Sequence, residues 1–282
     1  MKPRAMLFGP ILLWGVAHAQ QGPSGEVRGT AWQHTQQSLE AALANAWVAL
    51  PAKATGGRAF YGKLADVPKE LPPGVVAAPV LVFTHGSGGI GDAIKQWQKC
   101  LADDLEIASI TADSMQLPDR IVYTSPVSKD VYEKVHALRA QEINATVSRL
   151  SKWPWADASR LIIAGTSEGA VSIARYRSAD GSPKERARVI YSWSCEPNYH
   201  VDEARTTIPD TMPVLNIMSL TDVYFSQANP WLGNPTAKGH CGDALKNNKA
   251  AEIVPLPGAP HTLFNLPAAR GVTKVSLQQV LT

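Results

Sequence analysis

The chain is short of several things, and each shortage narrows what it can be. Cysteine is scarce, with 3 among 282 residues. An odd number makes one bonded pair and one free thiol the simplest accounting. Charge of either sign is not in excess. The 27 basic and 24 acidic residues leave a formal +3 with no basic block, which gives nucleic-acid binding no support. No run approaches the roughly 20 apolar residues a membrane span needs. Internal repeats, low-complexity tracts and a convincing domain linker are missing too. What remains is apolar content of 45%, ample for a real core.

The first residues carry their own signal. Lys2 and Arg4 precede a short apolar run, Ala5 to Val16, and Ala17-His18-Ala19 forms a small-x-small cleavage site. This predicts a signal peptide over residues 1–19 and an exported chain, periplasmic or secreted, with a single domain over 20–282. No cysteine follows the apolar run, so a lipid anchor is not expected. Export would place the cysteines where disulfides persist. Gln20 to Gly29 is polar and reads as a mobile leader.

Beyond it, Leu39, Leu43, Trp47 and Leu50 recur at helical spacing and predict a helix closing before Pro51. "GRAFYGKL" reads as an early strand. "PVLVFTHG", "EIASITAD", "RLIIAG", "ARVIYSW", "PVLNIMS" and "AEIVPLP" then follow as short apolar strands. Helices fall between them, one marked by Ile94, Trp97, Leu101 and Leu105, another by Val131, Val135, Leu138 and Val147, a third after Ser167. Such alternation predicts an α/β fold, a mostly parallel sheet with helices on both faces.

Gly165-Thr166-Ser167-Glu168-Gly169 sits where a strand stops and a helix begins. A nucleophile elbow needs that setting: its turn strains the serine backbone, and small residues two before and two after avoid clashes. A helix N-terminus also aims its dipole at developing negative charge. The alternative is a plain helix-capping serine, which the context disfavours. "THGSGG", Thr84 to Gly89, follows an earlier strand and is suited to turning N–H groups inward. The expected oxyanion donors are the N–H of Glu168 and that of Gly86 or Ser87. A phosphate-cradling loop is the rival reading, but the Lys-Ser/Thr of a P-loop and the Gly-x-Gly-x-x-Gly spacing are lacking.

A serine of this kind needs a base and an acid in the chain order Ser, acid, His. His200, His240 and His261 follow Ser167. His261 lies just past the last strand, on the sheet edge where ligands bind in open α/β sheets. His240 adjoins Cys241 in a polar loop. Asp222 follows "PVLNIMSLT" at a strand C-terminus, whereas Asp210 precedes that strand and Asp243 has no strand before it. The set is therefore Ser167 as nucleophile, His261 as base and Asp222 as the group that orients it. His200, His240, Cys241 and Asp243 match no compact zinc spacing. No metal and no cofactor are expected.

Together, "FTHGSGG", "RLIIAGTSEGA", "IYSWSC", "PVLNIMSLTD", "GHC" and "PLPGAPHTLF" resemble the α/β-hydrolase superfamily, and within it the dienelactone hydrolase-like branch. The likeness spans roughly Val80 to Phe264. It implies the α/β-hydrolase fold, and in exported relatives of this type a disulfide whose positions match Cys195 and Cys241. Cys100, on the helix that carries Trp97 and Leu101, reads as a free, buried structural thiol. Branch enzymes use a cysteine nucleophile aided by a glutamate in the preceding strand region. Here the nucleophile position holds Ser167 and "PVLVFTHG" has no glutamate, which favours an ordinary serine triad. The expected activity is hydrolysis of small carboxylic esters, with lactones as a second substrate class, through an acyl-enzyme, with a small-molecule ester as partner. A peptidase or acyltransferase using the same triad, or a silent binding protein on this scaffold, are the alternatives. The 195–213 stretch, read as partly helical, and the polar 222–252 stretch leave little to build a lid. Trp193, ending a strand, is a candidate to line the site.

Overall fold

A computed structural model describes residues 24–201 and 203–281. The proposed signal peptide, and the start of the leader at 20–23, lie outside the described residues. The elements run β1 (Val27–Arg28), α1 (Gln36–Ala44), β2 (Trp47–Leu50), β3 (Phe60–Lys63), β4 (Ala78–Thr84), α2 (Asp92–Leu105), β5 (Ala108–Thr111) and β6 (Val122–Tyr123). They continue with α3 (Lys129–Val147), β7 (Ala156–Thr166), α4 (Glu168–Ala174), β8 (Glu185–Tyr191), β9 (Val214–Ser219), β10 (Ala251–Leu256) and α5 (Pro267–Leu281).

Eight strands form one sheet in the order β10-β9-β8-β7-β4-β5-β2-β3. Strands β4, β5 and β7 to β10 are parallel, while β2 runs antiparallel to both its neighbours. Parallel strands are covered on both faces, which is why they read as continuous apolar runs. Alternation then divides each run between two cores. Val80, Val82, Leu161 and Ile163 join Ile143, Val147 and Val171 on the α3/α4 side. Leu81, Phe83, Ile162 and Ala164 join Trp97, Leu101, Phe264 and Leu277 on the α2/α5 side.

From β4 the chain steps to β5 on one side, then crosses to β7 on the other. The reversal makes β4/β7 a topological switch point, where ligands bind in open sheets. The loop that starts at His85 leaves β4 there, and Ser167 leaves β7 beside it.

Three local expectations are corrected. The helix predicted to reach Leu50 stops at Ala44 on an Asn45 cap. Trp47 and Leu50 belong to β2, whose Trp47–Ala49 segment is laddered on both sides, because cross-strand pairing outweighs an accidental helical spacing. Part of the leader is structured, since Val27–Arg28 pairs with Val122–Tyr123. Residues 195–213 contain no helix among the described residues. Prolines at 197 and 209 interrupt the stretch. Helix α5 was not foreseen.

Candidate active site

The elbow is built by close approach. A Cβ on Gly169 would lie 2.2 Å from the Thr84 carbonyl oxygen, and one on Gly165 would lie 2.8 Å from the Gly169 carbonyl carbon. Nothing larger than glycine fits either position without displacing backbone. Between them Ser167 holds φ 54° and ψ −123°, a conformation costing a non-glycine residue about 1–3 kcal/mol. Its N–H donates to the Tyr191 carbonyl at 3.1 Å, and its carbonyl accepts from Ala170 at 2.9 Å. The turn is thus held from both sides.

Asp222 and His261 come together across 39 residues, with Nδ1 of the imidazole 2.7 Å from Oδ2 of the carboxylate. Oδ1 accepts the N–H groups of Tyr224 and Phe225, each at 2.9 Å. The aspartate side chain is buried and satisfied as an acceptor. It therefore takes its third bond from Nδ1–H, which leaves the lone pair of His261 on Nε2. The histidine loop is pinned by hydroxyls: Ser219 donates to the Ala259 carbonyl and Ser192 to the His261 carbonyl. Tyr224 stands edge-on to the imidazole, ring centroids 4.6 Å apart.

Ser167, His261 and the Gly86–Gly89 loop line one cleft of about 490 Å³, walled by Tyr123, Tyr199, Tyr224 and Phe225. Sequence-predicted residues therefore converge, with Asp222 directly behind His261. His240, Asp210 and Asp243 do not line it. His240 is occupied with the Gly242 N–H, and Asp243 pairs with Lys238 on the surface. His200 does reach the cleft, but its ring packs on Tyr132 at 3.9 Å and its Nε2 faces the Tyr123 hydroxyl at 3.4 Å. Burial holds its pKa well below the histidine range, with His136 adding to the effect.

The structure joins Cys195 to Cys241 and leaves Cys100 free. Cys100 is half-buried, not buried as expected, because it sits at the edge of α2 beside Arg270 and Lys274. Trp193 is also corrected: it is buried in the core, edge-on to Phe225 at 4.9 Å, and does not line the cleft. A wider surface groove of about 740 Å³ runs along Lys129, Cys195 and Asn234, yet contains neither Ser167 nor His261.

Sequence reasoning missed the aromatic wall and the ionic groups beneath it. Arg139 and Glu142 stand among Val135, Leu138 and Ile143 on α3. Charges at positions that a helical pattern assigns to the core were the available signal.

The sequence matches no family profile and no curated protein. Among solved structures it is similar to a protein of Klebsiella pneumoniae subsp. pneumoniae named for dienelactone hydrolase, with a TM-score of 0.51 and 16% identity, over 83% of this chain and 98% of that one. It is likewise similar to a dienelactone hydrolase-like promiscuous phosphotriesterase from metagenomic libraries, with a TM-score of 0.50 and 17% identity, over 84% and 98% of the two chains. The chain has the α/β-hydrolase fold, with no large lid among the described residues.

Proposed function

We propose that this protein is a serine hydrolase of the dienelactone hydrolase-like kind that cleaves small carboxylic esters through an acyl-enzyme. The observation that carries the reading is the His261–Asp222 pair at 2.7 Å, with His261 lining the same cleft as a serine at φ 54°. Ser167 Oγ attacks the ester carbonyl while Nε2 of His261 takes its proton. The buried Asp222 carboxylate fixes the tautomer and stabilises the imidazolium. The N–H of Glu168 and one N–H of the Gly86–Ser87 segment receive the oxyanion. Proton return to the leaving alkoxide releases the alcohol, and water repeats the cycle to free the acid. Export to the periplasm or beyond is supported by the Cys195–Cys241 disulfide, a bond at home in oxidising compartments.

Ser167→Ala tests the assignment. Turnover of a short acyl ester should fall about 10³-fold or more with the unfolding temperature unchanged, as triad losses generally do. Labelling by a fluorophosphonate should vanish with it. Retained turnover would show that another residue carries the chemistry, and a wild-type chain inert to both reagents would favour the silent binding protein.

A further inference from the structure

Under the cleft lies a cluster of buried charge that the triad does not use. Arg139, fully buried on α3, brings Nη1 within 2.6 Å of Glu142 and donates from Nη2 to the His85 carbonyl at 3.1 Å. Its Nε lies 3.7 Å from Oε1 of Glu168, which also accepts from Arg120 at 3.0 Å. The second Glu168 oxygen accepts the Tyr123 hydroxyl at 2.9 Å. One planar guanidinium therefore hydrogen-bonds the residue before Gly86 and forms a looser ion pair, at 3.7 Å, with the residue after Ser167.

Burying ions costs several kcal/mol each, and apolar residues of the same volume generally stabilise a core as well or better. Core filling alone is thus a poor reason for two arginines and two glutamates here. Geometry is a better one, since the guanidinium presents five donors in a rigid plane.

His85 shows what that geometry fixes. Its Nε2 receives the Ser114 N–H at 3.3 Å and faces Arg139 Nη1 at 3.2 Å, both of them donors. The imidazole proton must then sit on Nδ1, which donates to the Gly86 carbonyl at 2.6 Å. Burial first, then the neighbouring Arg139, hold the His85 pKa well below the histidine range, so this neutral form persists. With the Gly86 carbonyl drawn to His85, the following N–H of the trans peptide points the opposite way. That N–H belongs to Ser87, which lines the cleft.

We propose that Arg139 is a positioning residue that sets the spacing of the two oxyanion donors, Ser87 N–H through His85 and Glu168 N–H through the Glu168 carboxylate. The proposal rests on the acyl-enzyme reading above, so its test carries one readout that does not.

The double variant Arg139→Met/Glu142→Met removes the inner pair without changing their summed charge, frees His34 Nε2 from Glu142 Oε1, and leaves Arg120 on Glu168. Three quantities are measured: amide exchange over residues 85–89 and 167–169, kcat and KM on a short acyl ester, and affinity for a trifluoromethyl ketone. The ketone forms an oxyanion on the serine, so it senses the donors directly. Exchange in both segments should quicken. kcat and ketone affinity should fall together by about 10- to 100-fold while KM stays within about twofold. Arg139→Lys keeps the charge without the fork, should lose less, and stands in if the double variant does not fold. Wild-type kcat and ketone affinity, or a loss confined to KM, would overturn the positioning role. Should Ser167→Ala prove active, the acyl-enzyme reading fails by itself, and unchanged exchange would still refute the strut.

Discussion

The two halves of the candidate site are held by different forces. The loops after β4 and β7, which carry the proposed oxyanion donors, rest on buried charge: Arg139 on His85 and Glu142, Arg120 on Glu168. The loops after β9 and β10, which carry Asp222 and His261, rest on hydroxyl and backbone N–H hydrogen bonds, two of them to the Asp222 carboxylate, and on a nearby disulfide, with no buried arginine among these contacts. They also face water, with Tyr224 37% and Val223 57% exposed. The contrast suits the two tasks. Oxyanion donors act best when they do not reorient as charge develops, whereas in the proposed mechanism the imidazole serves first the serine and then the leaving group.

The largest effect that would break this division is at the base. His261→Ala should lower turnover by about 10³-fold or more and abolish fluorophosphonate labelling, while His240→Ala should leave both near wild type. The opposite result would move the acid–base half into the loop beside Cys241, and the comparison above would lose one of its terms.

Next in size is the covalent tie. Cys195 and Cys241 lie 46 residues apart, and closing a loop of that length stabilises a fold by about 4 kcal/mol in the chain-entropy model. The Cys195→Ala/Cys241→Ala variant should unfold at correspondingly lower denaturant. The Cys241 N–H also donates to Asn216 Oδ1, and the Asn216 amide donates to the Ile190 and Trp193 carbonyls. The substituted loop should therefore keep its place at low temperature and retain activity. Stability equal to wild type would mean that these Asn216 side-chain bonds alone hold the acid–base half.

Acid distinguishes the oxyanion half. Burial lowers the pKa of His85 and of His200, and of His136 behind them. The unfolded chain binds protons at these histidines near pH 6.5 while the folded chain does not, so stability is full above that pH and declines below it. Each contributes up to about 1.4 kcal/mol per pH unit. Glu133, held at about 2 by His136 and Arg175 against burial, adds its loss only below the ordinary glutamate range. Denaturant midpoints should fall from pH 7 to pH 5, and His200→Gln should flatten that slope. A flat profile would mean that these histidines are hydrated in solution.

Much of the fold and part of the site were legible in the sequence, for one physical reason. Apolar strand runs and the elbow glycines are local patterns, and Asp222 and His261 are marked by their places just after strands, so reading them needs few distant contacts. Residues read this way include Ser167 and Gly169, and Asp222 and His261 as an ordered pair. Trp47 to Leu50 misled because four residues fit a helical period while their ladder partners, near 60 and 110, are remote. The Arg139 cluster was illegible as a device, since its meaning rests on His85, 54 residues away, and on Glu168 beyond the next strand. Long-range pairing is what a linear pattern carries least.

The finest test concerns how the cleft ends, and it sharpens the contrast because both halves contribute walls. On the oxyanion side the Gly86–Gly89 loop and Ser125 are polar or small. On the acid–base side Tyr224 and Phe225 stand close to His261. Behind them Phe225 is wedged against Trp193 and Tyr199, and Phe264 against Phe83 and Trp97, so neither ring can turn aside without opening a packed core. The space left, about 490 Å³ and partly open to solvent, is divided between the polar glycine loop and the aromatic side, so only part of it can shelter an acyl chain. A methylene that enters an apolar tunnel gains up to about 0.8 kcal/mol, and one left at an open mouth gains far less. kcat/KM on a soluble ester series should thus be highest for acetyl to butyryl groups and stop rising beyond them, with no activation at a lipid interface. A steady climb to twelve carbons would show that the aromatic wall parts. Phe225→Ala should then extend the climb further if that ring is the stop, and leave the profile unchanged if the chain leaves instead over the glycine loop.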